Sequence, residues 1–384
     1  MLIAGEASGD LLAAELVAAL REQCAPAPHP PVFFGAGGAK MSAAGVELAF
    51  DMTRHAMIGI PTLGKLFNGR KLFNQLLALA IERKPDVVIG VDYGFFNLRF
   101  GHAVKEYVRG NPFSKWDPKI VQFVSPQVWA SRPGRAKQIA ADYDLLLSIF
   151  PFEKDWYAQR VPQLRVEFVG HPMIGRFTND DLRFTNARTE QTSIAQRQSQ
   201  ILLLPGSRTS ELKRHLPPML AAVKIILEKL PEAKAKMVLP NPELMQLAKS
   251  LGANLEIQIG ELPWALAESD VAISKTGTVT MECAYFGVPT VTLYKTNWFT
   301  YEIGKRIVKV KSLTMPNLLA GEEVYPEFVQ NEATPENLSR AALELLLDES
   351  RRTKIKAKLA NILSSLGEPG APKRAAAAIL GLLT

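Results

Sequence analysis

The stretch Ser269–Pro289, SDVAISKTGTVTMECAYFGVP, decides the fold. Its first part, DVAIS from Asp270 to Ser274, has the length and apolar character of a buried strand. Gly277 then permits a sharp turn, Thr278 stands where an N-cap belongs, and the residues from Val279 to Phe286 suffice for about two helical turns. Gly287 and Pro289 stop that helix, and Val291 to Tyr294 resumes as a strand. A helix start behind a glycine turn presents unpaired N–H groups, which suits an anion such as a phosphate. Glu282 lies one turn inside, on the same face as Thr278. Its carboxylate either accepts two hydrogen bonds from a ribose diol or is a solvated helix residue.

The same theme occurs at two other places. Leu2-Ile-Ala-Gly5 leads into GEASGD (5–10) and a helix from Leu11 to about Gln23, the opening of a doubly wound α/β domain. The turn is not GxGxxG, so no dinucleotide follows from it. Ser8 or Asp10 is expected to cap this helix, while Glu6 sits at a strand's carboxyl end, where α/β sheets bind ligands. Further on, ILLLPGSR (201–208) opens a second domain, with Gly206, Ser207 and Arg208 in the turn and Ser210 and Glu211 beginning the helix. Arg208 either grips a phosphate through paired hydrogen bonds or faces water.

Between these, PDVVIGVD (85–92) is the clearest buried strand. Asp92 closes it and is followed by Tyr93-Gly-Phe-Phe-Asn97, a carboxylate among aromatic groups that is placed as a general base or, more simply, as a turn residue. IVQFV (120–124) is another strand, running into SPQVWASR (125–132), and FPFEK (150–154) and GHP (170–172) close the first domain. We expect domains at 1–178 and 201–340, joined by a polar linker at 179–200. A helical tail at 341–384 is expected to cross back to the first domain. A first strand of so few residues points to a start further upstream.

Composition narrows the function classes. The 384 residues are 47% hydrophobic and 22% charged, those of a globular chain, and the net charge of +7 favours an anionic partner. Two cysteines, Cys24 and Cys283, make neither a disulfide framework nor a metal pair, and the five histidines show no ligand spacing. No apolar run reaches the ~18 residues of a membrane span. Two segments nonetheless mix apolar and basic groups. In the first, Met57, Ile58, Leu66, Phe67 and Phe73 accompany Lys65, Arg70 and Lys71. In the second, Trp298, Phe299 and Tyr301 accompany Lys305 and Arg306. The first reads as an amphipathic helix for a membrane surface or a lipid chain or, equally, as a core-facing helix. The second reads as an element for an anionic bilayer surface before RNA, for which no binding motif accompanies it.

Two Rossmann-like domains facing a cleft, with nucleotide-holding turns in the second, form the GT-B pattern. The motifs GEASGD, MIGI (57–60), PDVVIGVD, VSPQVWASR, FPFEK, LLPGSR, TGT with MEC (276–283) and MPNLLAG (315–321), in this order, resemble the lipid-A-disaccharide synthase family from residue 2 to about 332. The resemblance implies transfer of 2,3-diacylglucosamine from UDP-2,3-diacylglucosamine to the 6-hydroxyl of 2,3-diacylglucosamine 1-phosphate. The anomeric centre is inverted, giving a β-1,6 disaccharide and UDP in lipid A biosynthesis. It places the base at Asp92 with Glu6 supporting the cleft. Gly206, Ser207, Arg208, Gly277, Thr278, Glu282 and Asn317 fall on the UDP-sugar side. It implies no metal ion and no cofactor, no nucleic acid, and a cytoplasmic protein peripheral on the inner face of the inner membrane, with tail exchange in a homodimer as one arrangement. Phe95 stands where the family commonly has a second acidic residue, and Ser131 where an aromatic is usual. The rival readings are a UDP-N-acetylglucosamine 2-epimerase, which has no use for the apolar-basic segments, and a non-catalytic lipid or nucleotide binder, which needs no base.

Overall fold

The computed structural model describes residues 1–25, 29–52, 63–176 and 198–383, with the backbone alone at 63–68, 299 and 303. The chain divides into two units, Met1–Arg176 with Leu366–Thr384, and Phe177–Ser365. The expected linker at 179–200 lies almost wholly outside the described residues.

The first unit is built on a seven-stranded sheet ordered β3-β2-β1-β4-β5-β6-β7. Its strands are β1 (Leu2–Ala4), β2 (Phe34–Gly37), β3 (Glu47–Asp51), β4 (Val87–Val91), β5 (Lys119–Phe123), β6 (Leu145–Ser148) and β7 (Val166–Phe168). The second unit carries a six-stranded sheet ordered β10-β9-β8-β11-β12-β13. Its strands are β8 (Gln200–Leu204), β9 (Lys234–Leu239), β10 (Glu256–Ile259), β11 (Val271–Lys275), β12 (Thr290–Tyr294) and β13 (Glu327–Val329). Every strand pair is parallel. Parallel central strands are covered on both faces, which is why VVIGV and LLLS are buried throughout.

Both sheets reverse their winding at one place, between β1 and β4 in the first and between β8 and β11 in the second. Crossovers leave in opposite directions there, so a crevice opens at the strands' carboxyl ends. The turns after β1, β4, β8 and β11, which carry Glu6, Asp92, Arg208 and Thr278, lie at these two switch points.

Each core is apolar and continuous. Ile3, Val88, Phe100, Ile120 and Leu146 contribute to the first, and Leu202, Leu216, Met237, Ile273 and Leu293 to the second. The helical tail is shared: helices Pro335–Leu347 and Glu349–Ser365 pack within the second unit, and Ala371–Leu380 packs on Ala7–Cys24 in the first. There the His171 N–H donates to Leu366 O at 2.9 Å, Arg374 donates to Val169 O at 2.9 Å, and Gln23 donates to Lys373 O at 2.8 Å.

Candidate active site

In the first unit, Glu6 follows β1 and Asp92 follows β4, adjacent strands whose ends meet at the switch point. Gly5 makes this approach feasible, because a Cβ there would lie 2.3 Å from the Tyr93 ring. Asp92 and Tyr93 both adopt left-handed backbone, with φ of 51° and 43°, which is uncommon for residues other than glycine. The Asp92 N–H donates to Phe123 O at 2.8 Å, anchoring this turn to the neighbouring β5. The Ser8 hydroxyl donates to Asp92 Oδ2 at 3.3 Å. Burial, and then the Glu6 carboxylate, push the Asp92 carboxyl above its usual value, while the Tyr93 N–H and Ser8 pull it partly back. Burial and Glu6 also raise the Tyr93 phenol.

The expected capping of the first helix differs. Glu6 occupies its N-cap without a side-chain cap bond. Asp10 instead turns away and accepts from the N–H groups of Gly38, Lys40 and Met41 at 2.7, 3.0 and 3.1 Å, closing the start of helix Ala39–Ala43. The physical reason is that Asp10 is buried, where a carboxylate requires several donors, and the next helix start supplies them. Phe95 is 60% exposed beside this turn, with the guanidinium carbons of Arg99 and Arg135 5.5 and 5.9 Å from its ring centre.

One further carboxyl in this unit was not singled out. Glu153, in FPFEK, is fully buried and accepts from Trp129 Nε1 at 2.9 Å and Phe150 N at 3.4 Å, tying two motifs together. Burial pushes it up to about 7. His171, of GHP, is pushed down to about 4 by burial and is therefore neutral.

The second unit ties the turns after β8, β11 and β12 to one another. Arg208 is the N-cap residue of the 21-residue helix Thr209–Lys229 and is 40% exposed. Gly206 has φ of 125°, and a Cβ there would lie 2.5 Å from Glu211 Oε2. That oxygen accepts from Ser207 N at 3.1 Å. Glu211 Oε1 pairs with Lys275 Nζ at 3.4 Å, joining the turn after β8 to the end of β11. His215, buried, bonds Pro205 O at 2.9 Å and accepts from Lys295 N at 3.1 Å, joining β8 to the end of β12. Its lowered pKa, caused chiefly by burial, matches the neutral ring that these two bonds require. Glu211, Lys275 and His215 thus hold these strand-end turns together, a role that sequence reasoning missed. The one signal for them was their placement after apolar strands.

Two donor-side residues are held differently from what a ligand-facing role would require. Thr278 does stand at the N-cap of helix Val279–Tyr285, but with helical backbone (φ −54°, ψ −36°) and no side-chain cap bond; the Thr280 hydroxyl donates back to Gly277 O at 2.7 Å instead. Gly277, at φ 136°, supplies the turn as expected, and Glu282 is half-buried on helix Val279–Tyr285. Asn317 is buried, donates to Tyr325 O and Glu327 Oε1, and accepts from Val324 N and Tyr325 N, each at 2.8 Å. With both donors and its acceptor engaged internally, it fastens helix Met315–Ala320 to β13 and offers no spare polar atom to a ligand.

Of the residues expected to face lipid, Met57 and Ile58 lie outside the described residues. Leu66 and Phe67 fall on helix Leu63–Arg83, in the part whose side chains are not described, as is that of Phe299. Phe73 is corrected: its ring packs edge-on against Phe96 and Phe100 at 5.5 and 5.6 Å, because a core-facing stripe and a lipid-facing stripe share one periodicity. Trp298 is 75% exposed, with Lys305 and Arg306 exposed on the same helix, Trp298–Ile307. Among the described residues no helix is long and apolar enough to cross a membrane, and no cluster of three or more His, Cys, Asp or Glu side chains could hold a metal ion.

A family model described as lipid-A-disaccharide synthetase matches residues 1–379. The chain belongs to the lipid-A-disaccharide synthase family. Relatives of that name from Myxococcus xanthus and Trichlorobacter lovleyi are 35% and 36% identical, over all of this chain and 97% of each relative. Among solved structures, the Staphylococcus aureus MnaA–UDP co-structure aligns with TM-score 0.62 at 14% identity, over 100% of this chain and 96% of that one. Acinetobacter baumannii MurG aligns with TM-score 0.53 at 16% identity, over 99% of each chain. These likenesses show the GT-B fold. Membership in the lipid-A-disaccharide synthase family makes the chain a glycosyltransferase of lipid A biosynthesis.

Proposed function

We propose that the chain transfers 2,3-diacylglucosamine from UDP-2,3-diacylglucosamine to the 6-hydroxyl of 2,3-diacylglucosamine 1-phosphate, with inversion. The observation that carries this reading is Asp92: a carboxyl raised by burial and by Glu6, at the switch point of the first sheet. Inversion needs one base and one displacement. The acceptor O6 attacks the donor anomeric carbon as Asp92 takes the O6 proton. The bond from that carbon to the diphosphate breaks, its electron pair stays on the β-phosphate oxygen, and UDP leaves. The second unit would hold the donor. Arg208 and the start of helix Thr209–Lys229 would meet the diphosphate with charge and N–H groups, and Glu282, on helix Val279–Tyr285, would meet the ribose diol. MnaA, a protein of the same fold, has a co-structure with UDP, which supports a UDP site on this architecture. Exposed Trp298, Lys305 and Arg306 support a peripheral place on an anionic inner-membrane face, where both acylated substrates would reside.

The test is incubation of purified protein with both diacylated substrates in detergent micelles, read by mass spectrometry. A tetraacyl disaccharide 1-phosphate with equimolar UDP is the expected result. Absence of that product together with epimerisation of UDP-N-acetylglucosamine would replace this reading with the rival enzyme.

A further inference from the structure

Behind the Asp92 turn lie two buried amide side chains that the proposed reaction does not use. Asn97 Nδ2 and Gln122 Nε2 both donate to the backbone carbonyl of Asp92, each at 2.8 Å. Asn97 stands at 2% exposure and Gln122 at 0%. Gln122 also donates to Val124 O at 3.2 Å, and Val124 is a β-branched residue at φ 69°. Three residues other than glycine, Asp92, Tyr93 and Val124, are therefore held in left-handed backbone where β4 and β5 end. Such conformations are costly and persist only where surrounding structure enforces them.

The cost to the amides points the same way. Asn97 Oδ1 and Gln122 Oε1 are buried and accept no hydrogen bond. Apolar residues of similar shape would avoid that penalty, so the amide donors must be what the position requires. Gly90 gives them room, since a Cβ there would lie 2.5 Å from Gln122 Oε1 and 2.8 Å from Asn97 Cβ. Two donors on one carbonyl fix the peptide plane after Asp92, and that plane sets where the carboxylate points.

We infer that Gln122 and Asn97 are positioning residues, which hold the Asp92 peptide in its left-handed turn so that the carboxylate is aimed at the acceptor hydroxyl. This rests on the reading of Asp92 as the base.

The test compares Gln122→Met, Asn97→Ser, Asp92→Asn and the double variant Gln122→Met/Asp92→Asn in the disaccharide-forming assay, with UDP binding and thermal unfolding measured on each. Loss of aim by about 1 Å costs on the order of 10²-fold in rate. Gln122→Met is accordingly expected to lower kcat by about 30- to 100-fold, with KM for both substrates and UDP affinity within about twofold of the parent. In the Asp92→Asn background the same change should lower the residual kcat by less than about twofold. Asn97→Ser repeats the test from the other donor and decides it if Gln122→Met does not fold. A kcat near the parent value in the folded variants, or an equal further loss in the Asp92→Asn background, overturns the inference while the base assignment stands. Full activity of Asp92→Asn overturns both.

Discussion

Asp92 is the base in the proposed reaction, and its environment predicts how rate would then depend on pH. A base must be unprotonated to accept the O6 proton, and burial with Glu6 nearby makes Asp92 hold its own proton to higher pH than an ordinary aspartate. The acid limb of kcat/KM is expected above the usual carboxylate range, and Asp92→Asn should cost about 10²- to 10⁴-fold in kcat while leaving UDP binding intact. A pH–rate profile with a UDP titration checks both. Glu153 predicts a stability effect of its own. Its folded value of about 7 lies above the ordinary value of 4.5. Between those values the folded state binds more protons than the unfolded one, so stability falls as pH rises through that window. Glu153→Gln keeps an acceptor for Trp129 but cannot ionise. Its Tm relative to the parent should therefore be more favourable at pH 8 than at pH 5, by an amount corresponding to at most about 3 kcal/mol. A constant difference across that range would refute the assignment.

At the scale of elements, the proposed sites are strand-end turns, and each depends on a backbone that only certain residues adopt. Gly206 at φ 125° lets Ser207 N meet Glu211 and sets Arg208 at the start of a long helix. Gly206→Ala should cost about 1–3 kcal/mol in stability and weaken UDP binding by about tenfold or more, read by calorimetry and titration. Undiminished affinity would remove this turn from the donor site. The elements also show what pattern reasoning reached. PDVVIGVD and ILLLPGSR announced themselves because a parallel strand buried on both faces is continuously apolar and then stops at a turn. Phe73 was legible only as one member of an apolar stripe; the packing of Phe96 and Phe100 decided which way that stripe faces. Asp10 was misread because its partners, Gly38 to Met41, lie 28 to 31 residues away in sequence.

At the scale of the whole molecule, the tail and the charge distribution carry consequences. Helix Ala371–Leu380 covers Ala7–Cys24 in the first unit, with Ala375, Ala376 and Ile379 buried. Ending the chain after Ser365 should therefore lower the Tm of the first unit. Differential scanning calorimetry measures this, and an unchanged trace would show that the cover contributes no stability. With a net charge of +7 and exposed Trp298, Lys305 and Arg306, binding to anionic vesicles should weaken with salt. It should fall by about tenfold or more when Lys305 and Arg306 are both reversed to Glu, measured by cosedimentation. Binding that ignores both changes would place the membrane contact elsewhere.

The sequence by itself determined the doubly wound class, the GT-B pairing and the turns that follow the central strands, because each is written in local terms: apolar runs, glycine turns and helix starts a few residues apart. Only the tertiary structure decided how those turns are supported. Asn317 commits its amide to Tyr325 and Glu327, His215 links two strand ends, and Asn97 and Gln122 hold one carbonyl from separate elements. A buried polar group must find its partner wherever the fold brings one within about 3 Å, and that distance in space has no counterpart in distance along the chain.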